Sequence, residues 1–310
     1  MMLPYFGELC MLIAAILWSV TVILLKSSSN QLSPFLINPI KNSIGLLLFL
    51  ILFIYMGIPL WYDNLSQLGY YKILLSGLLG MAIGDTIFIY ALSKIGANRV
   101  AIVDSFSPFI IYFYSILLLY NQELVFIQFV GLMITTIAIV ILTYENDYED
   151  IDYKTKRSGI LWVFFAMSCT GYGIVLLKTV LNEINIVEVD QKLKFNLWVT
   201  AFRLLPGVIF SWFMFLFKKN KKSLLKPLTN RTVLSKLLLA SVIGPFFALG
   251  FWILGYAFID KPSIASIISQ TSVIFIVILS WIFLKEKLTP LRLVSISFAF
   301  IGVLLATMNN

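Results

Sequence analysis

The chain has 310 residues, 60% of them hydrophobic and only 12% charged, with a mean hydropathy of +0.95. That leaves too little polar surface to cover a water-soluble globule, and at about 20 residues per membrane helix ten spans take roughly 200 residues, so no separate soluble catalytic domain fits beside them. The formal net charge of +8 does not point to nucleic acid, because the bases sit in the connections between apolar runs, as cytoplasmic membrane loops are marked.

In chain order, apolar runs bounded by polar residues predict spans over Phe6 to Lys26, Pro34 to Met56, Tyr70 to Ser93, Val100 to Tyr120 and Phe126 to Tyr144. The second series runs Gly159 to Leu181, Phe195 to Phe217, Leu234 to Ile259, Ser263 to Leu284 and Leu291 to Met308. The first run reads as a membrane helix and not a cleaved signal, since Met1 to Tyr5 carries no positive charge and no small-residue cleavage site follows. Glu145 to Arg157 is the most polar connection in the first two thirds of the chain and reads as a solvated linker. It divides the chain into residues 1–144, a linker 145–158 and residues 159–310. Histidine is absent, and Cys10 and Cys169 lie far apart in apolar stretches, so no metal site, cofactor or disulfide framework can be drawn.

The two halves repeat. Gly7, Ala14, Leu24, Leu25 and Lys26 fall without a gap on Gly159, Ala166, Leu176, Leu177 and Lys178. Lys41, Gly45 and Phe53 fall on Arg203, Gly207 and Phe215; Gly84 and Tyr90-Ala91 on Gly250 and Tyr256-Ala257; Ala101 on Ala265; and Gln122-Glu123-Leu124 on Glu286-Lys287-Leu288. Single matches are weak, but their order across five consecutive helices carries weight. Five is odd, so the second unit must enter the membrane from the opposite side. The expected fold is therefore an all-α integral membrane protein of ten transmembrane helices in two inverted five-helix repeats, an architecture of alternating-access carriers.

Several segments together resemble one family: Gly7 through Trp18-Ser19 to Lys26, the glycine-rich third span with Tyr90-Ala91-Leu92, the Ser107-Pro108-Phe109 step and Glu286-x-Leu288-Thr289. They look like the ten-helix EamA type of the drug/metabolite transporter superfamily, over nearly the whole chain. The resemblance implies a carrier fold, with amino-acid and metabolite exporters among its members. The chain departs from that pattern at Gln122 where the family usually has Glu, at Lys41 where Arg is usual, and at Ser272 where Pro108 has its counterpart.

Connections after the odd-numbered spans hold most of the Lys and Arg, the Lys218 to Lys236 run above all, whereas the other side holds Lys72, Lys178, Lys192, Lys194 and Lys261. The positive-inside rule then places both termini outside a bacterial inner (plasma) membrane, although relatives resembling this chain often have cytoplasmic termini.

Ionisable residues inside spans are costly and mark function. Asp104 lies on a stripe Ala101, Asp104, Ser105, Pro108, Tyr112, Ser115 spaced three and four apart, which puts the hydroxyls and the carboxylate on one helix face that is expected to look into a cavity. Asp85 follows the Gly77, Gly80, Gly84 ridge and reads either as a cavity carboxylate or as a helix-end partner of Lys94 or Arg99. Ser269 and Gln270 are the repeat counterparts of the Asp104 region, and Trp18, Tyr172, Trp252 and Tyr256 are candidate cavity rings. Lys41 and Arg203 either snorkel to the interface or bind a solute carboxylate or phosphate. Any proton coupling has to use Asp104 or Asp85, and nothing in the sequence requires coupling.

The expectation is a secondary carrier moving a small polar or amphipathic metabolite, such as an amino acid, with that solute and membrane lipid as its partners. A monomer suffices for a complete pathway, and small-residue ridges leave a homodimer open. The alternatives are a flippase of lipid or lipid-linked substrates on the same fold and an intramembrane enzyme; against the latter, no HExxH, paired metal-binding Asp motif or nucleophile elbow is present.

Overall fold

The computed structural model describes residues 5–119, 126–144, 151–183, 188–259 and 262–307. Its long helices are α1 (Phe6–Ser29), α2 (Pro34–Met56), α3 (Gln67–Ile95), α4 (Ala97–Leu119), α5 (Phe126–Tyr144), α6 (Tyr153–Glu183), α7 (Val189–Leu216), α8 (Arg231–Phe258), α9 (Pro262–Leu279, continued by a wider turn Ser280–Leu284) and α10 (Pro290–Thr307). Among the described residues seven, α1 to α4 and α6 to α8, are long and apolar enough to cross a membrane. Ile51, Ile54, Tyr55, Phe213, Trp281 and Phe283 point outward, an apolar exterior that suits lipid and not water.

Local chemistry sets the helix ends. Pro34 opens α2, where its missing N–H costs nothing, and Gly57 closes it in the left-handed conformation with φ 63°, a geometry that favours glycine. Ser66 and Asn230 cap α3 and α8 by accepting from Gly69 N and Thr232 N, each at 3.0 Å. Helix α6 begins at Tyr153, so the second part of the polar Glu145 to Arg157 stretch is helical, and Lys156 is buried. Arg99 and Arg292 are buried too.

The packing obeys an exchange rule. Helix α1 packs against α8 and α9, whereas α6 packs against α3 and α4; α2 lies along α7 and α5 along α10. Advancing every helix by five positions returns the same pairs. Gly7 presses on Phe258 and Ile259 at the end of α8, and Gly159 presses on Ile95 at the end of α3. Lys26 Nζ donates to Ser93 O at 3.2 Å, and Lys178 Nζ donates to Tyr256 O at 2.7 Å and Ile259 O at 3.0 Å; a cation among the last carbonyls of a helix is the favourable sign. The start of α1 and the end of α6 thus meet at one place, and the end of α1 and the start of α6 at another, so α1 and α6 run antiparallel.

Two wider π turns, Leu78–Gly84 in α3 and Ile243–Ala248 in α8, occupy corresponding places in the two halves. Such turns disturb the hydrogen-bond ladder, and the α3 turn is supported from α2: Asn38 Nδ2 donates to Met81 O at 2.8 Å and to Thr86 Oγ1 at 2.9 Å, and Asn42 Nδ2 donates to Met81 O at 3.0 Å. In α8 the turn contains Pro245, which has no N–H to give. A Cβ at Gly45 would lie 2.7 Å from Pro245 Cβ, and one at Gly207 would lie 2.7 Å from Met81 Cβ. These repeat-equivalent glycines let α2 and α7 each approach a π turn of the opposite half.

Helix α4 breaks at Ser105 and Phe106 and restarts at Ser107, because Pro108 removes an N–H and disfavours a helical residue before it. The predicted stripe is therefore not one continuous face.

A Cβ at Gly77 would drive into the Arg203 carbonyl oxygen, which as backbone cannot rotate away. Gly77→Val is expected to abolish the monodisperse peak in size-exclusion chromatography of the detergent-solubilised protein. Gly57→Ala meets no atom within 4 Å and is expected to cost only about 1 kcal/mol through its positive φ.

Candidate solute cavity

Between the group α1, α8, α9 and the group α3, α4, α6 lies a cavity of about 140 Å³. A single water needs about 10–15 Å³ on the same kind of measure, so the space holds a small solute. Ala14 and Trp18 come from α1, Trp252 and Tyr256 from α8, and Ser266, Ser269 and Gln270 from α9; Met81 and Asp85 come from α3, Asp104 and Ser107 from α4, and Met167 and Thr170 from α6. Lys41 reaches it from α2. Exchange-related helices therefore form opposite walls.

Asp85 sits just past the α3 π turn, and its Oδ2 accepts from Lys41 Nζ at 2.6 Å. The pair is nearly out of solvent, with side-chain exposures of 3% for Lys41 and 15% for Asp85. Asp85 is thus paired across to α2, not to Lys94 or Arg99 near its own helix end, and Lys41 does not snorkel. Asp104 Oδ1 accepts from Ser107 Oγ at 3.0 Å across the break in α4. Tyr256, fully buried, lines the space from α8, and Ser266 lines it from α9. Trp252 Nε1 donates to Ser269 Oγ at 3.3 Å, and the buried Gln270 Oε1 has no hydrogen-bond partner among the described residues.

Of the residues expected from sequence, Trp18, Lys41, Asp85, Asp104, Trp252, Tyr256, Ser269 and Gln270 come together around this space. Ser105, Tyr112, Tyr172 and Arg203 do not line it. Ser105 Oγ donates to Ile102 O at 2.6 Å in its own helix, the usual fate of a hydroxyl in an apolar helix. Tyr112 is buried past the break in α4, and Tyr172 packs its ring edgewise on Tyr114. Arg203 is fully buried behind the α3 π turn. Sequence reasoning missed Asn38, Asn42 and Thr170; two buried asparagines a helical turn apart in α2 are the signal that was available for the first two.

Glu286, read from sequence only as part of a motif, has a definite task. Its two carboxylate oxygens accept from Ala97 N at 2.8 Å and Asn98 N at 3.0 Å, capping the start of α4 from the other half of the chain. Gly96, at φ 84°, leaves room for it, since a Cβ there would lie 3.0 Å from Glu286 Oε1. Ser280 in the α9 turn also bonds Asn98. The repeat counterpart Gln122 lies outside the described residues.

The profile of the EamA-like transporter family matches the chain twice, over residues 5–144 and 157–308. The chain belongs to the EamA-like transporter family. Its fold is also found among solved structures, 28 chains of which match. One, described as "Crystal structure of protein", aligns over 97% of this chain and 96% of that one at 15% identity with a TM-score of 0.67. No curated protein sequence matches the chain. In this EamA-like fold the two profile matches are the two halves related by the exchange of helices.

Breaking a buried ion pair from one side strands a charge and costs about 3–5 kcal/mol. Asp85→Asn is therefore expected to lower the thermal midpoint clearly, and Lys41→Met combined with Asp85→Asn to recover most of the loss, as read by a thermal-shift assay in detergent.

Proposed function

We propose that the chain is a secondary carrier that moves a small polar or amphipathic metabolite, of amino-acid kind, across a cytoplasmic membrane by alternating access. Membership of a transporter family supports the general class, and the observation that carries the finer reading is the placement of the cavity. It lies on the seam between α1, α8, α9 and α3, α4, α6, two groups that the repeat makes equivalent. Rocking one group against the other would open the seam first at one end and then at the other. In this reading all ten long helices cross the bilayer, as two five-helix units of opposite orientation, residues 1–144 and 159–310, joined through residues 145–158, of which Tyr153 onward already belongs to α6.

The lining suits a small solute with both polar and apolar parts: Trp18, Trp252, Met81 and Met167 offer apolar walls, while Asp104, Ser269, Gln270 and the Lys41–Asp85 pair offer hydrogen bonds and charge. A few fixed polar groups in a largely apolar pocket is the common pattern of small-molecule sites. No phosphate-binding P-loop occurs in the sequence, which favours a gradient or exchange as the energy source over nucleotide. The excess of Lys and Arg in the connections after odd-numbered helices supports a reading with both termini outside.

The test is flux. Proteoliposomes holding the purified chain and challenged with a pooled metabolite library are expected to show saturable movement of one or more small solutes, strongly reduced in Asp104→Asn at equal protein incorporation. Acceleration by an imposed proton gradient would assign coupling to a carboxylate. Absence of solute flux together with movement of a labelled lipid between leaflets would replace this reading with a flippase.

A further inference from the structure

Among the described residues Arg203 has the most buried polar side-chain atoms without a hydrogen-bond partner. It is fully buried, and its Nε, Nη1 and Nη2 have no hydrogen-bond partner among the described residues. A buried cation without an acceptor is expensive in any single conformation, so its retention calls for another state in which it is paired.

The partner is close by. Arg203 lies within electrostatic range of Asp85. Its Nη2 rests 3.1 Å from where a Cβ on Gly80 would stand, and Asp85 N donates to Gly80 O across the π turn, so Gly80 is one turn below Asp85 on the same side of α3. Lys41 from α2 thus bonds Asp85, and Arg203 from α7 packs on the π turn just before it. These cations are repeat equivalents, whereas the repeat equivalent of Asp85 is Phe251. One carboxylate serves two sites that the repeat makes alike. Arg203, packed against the same stretch of α3, is a second cation for a carboxylate that leaves Lys41.

We propose that the cavity takes solutes bearing an oxyanion, a carboxylate or a phosphate, and that Lys41 receives the oxyanion as Asp85 passes from Lys41 to Arg203. The inference rests on reading the cavity as a solute site. The exchange conserves charge: the incoming anion replaces Asp85 at Lys41 while Asp85 satisfies the stranded guanidinium, so binding leaves no buried charge unpaired. A neutral solute cannot make this replacement. Lys41 lines the cavity and Arg203 does not, which gives the two cations different tasks: Lys41 touches the solute, and Arg203 is a positioning residue acting through Asp85.

The experiment is a thermal-shift titration of the purified full-length protein with acetate, benzoate, inorganic phosphate and phenyl phosphate, and with benzamide as the uncharged match for benzoate. At least one acid is expected to raise the melting temperature while benzamide does not; response to carboxylates or to phosphates alone tells which oxyanion is taken. Lys41→Met is expected to lose the acid response, with an affinity fall of about tenfold or more from the missing charged partner. Arg203→Met is expected to melt higher than wild type without ligand, because the stranded charge is gone, and yet to lose the acid response, a combination that a merely structural residue would not give. Should that variant fail to fold, Arg203→Lys, which keeps a cation, is expected to retain the response. Equal stabilisation by benzamide, no response to any acid, or an undiminished response in Arg203→Met would overturn the proposal. Acid binding without flux would instead sink the carrier reading, and saturable flux of uncharged solutes without acid binding would spare it.

Discussion

An ammonium and a carboxylate meeting at 2.6 Å between α2 and α3 constrain everything around them, because at this depth neither can be left without the other. The side of α2 that carries Lys41 also carries Asn38, Asn42, Gly45, Phe49 and Phe53, all buried, at spacings of three and four that form one helical face. Asn38 and Asn42 hold the π turn of α3, which sets where Asp85 stands relative to Lys41. Gly45 admits Pro245 of α8, which brings the opposite cavity wall to the same depth. One face of one helix thus fixes the charged pair, the distorted turn beside it and the approach of the other half.

The backbone arrangement is close to two-fold and the chemistry is not. Gly7 and Gly159, Lys26 and Lys178, Gly45 and Gly207 each perform matching tasks at matching contacts, so either half can take the other's place in the packing. Lys41 is paired while Arg203 is not, and Asp85 faces Phe251 across the repeat. On the proposed carrier reading, matching geometry would suit two conformations of similar energy, and mismatched charge would give the cavity a polarity for a solute to read. Glu286 adds a third asymmetry, tying the start of α4 to the end of α9 where its counterpart in sequence is the neutral Gln122.

Spans, repeat and most of the cavity residues were legible in the sequence because each leaves a local trace: long apolar runs, a fixed offset between matching residues, and rare polar groups within apolar helices. What was illegible depended on departures from the ideal helix. The Asp104 stripe ran through Ser105 and Tyr112, whereas the cavity takes Asp104, Ser107 and Ile111, and the helix breaks between Asp104 and Ser107. The π turns carry no periodic signature, so neither the role of Asn38 and Asn42 nor the distorted turn just before Asp85 was visible. Partner choice was hidden as well: Lys94 is nearer to Asp85 in sequence than Lys41, but the packing of α2 on α3 and not chain distance decides the pair.

The most direct measurement is access to the cavity from each side of the membrane. A chain with Cys10 and Cys169 replaced by serine and a single cysteine introduced as Ser269→Cys would be reacted in oriented vesicles with a membrane-impermeant maleimide applied to one face or the other. Alternating access expects labelling from both faces, each protected when the vesicles carry a transported solute that holds the opposite end open. Labelling from one face only under every condition would contradict it and leave a static pocket.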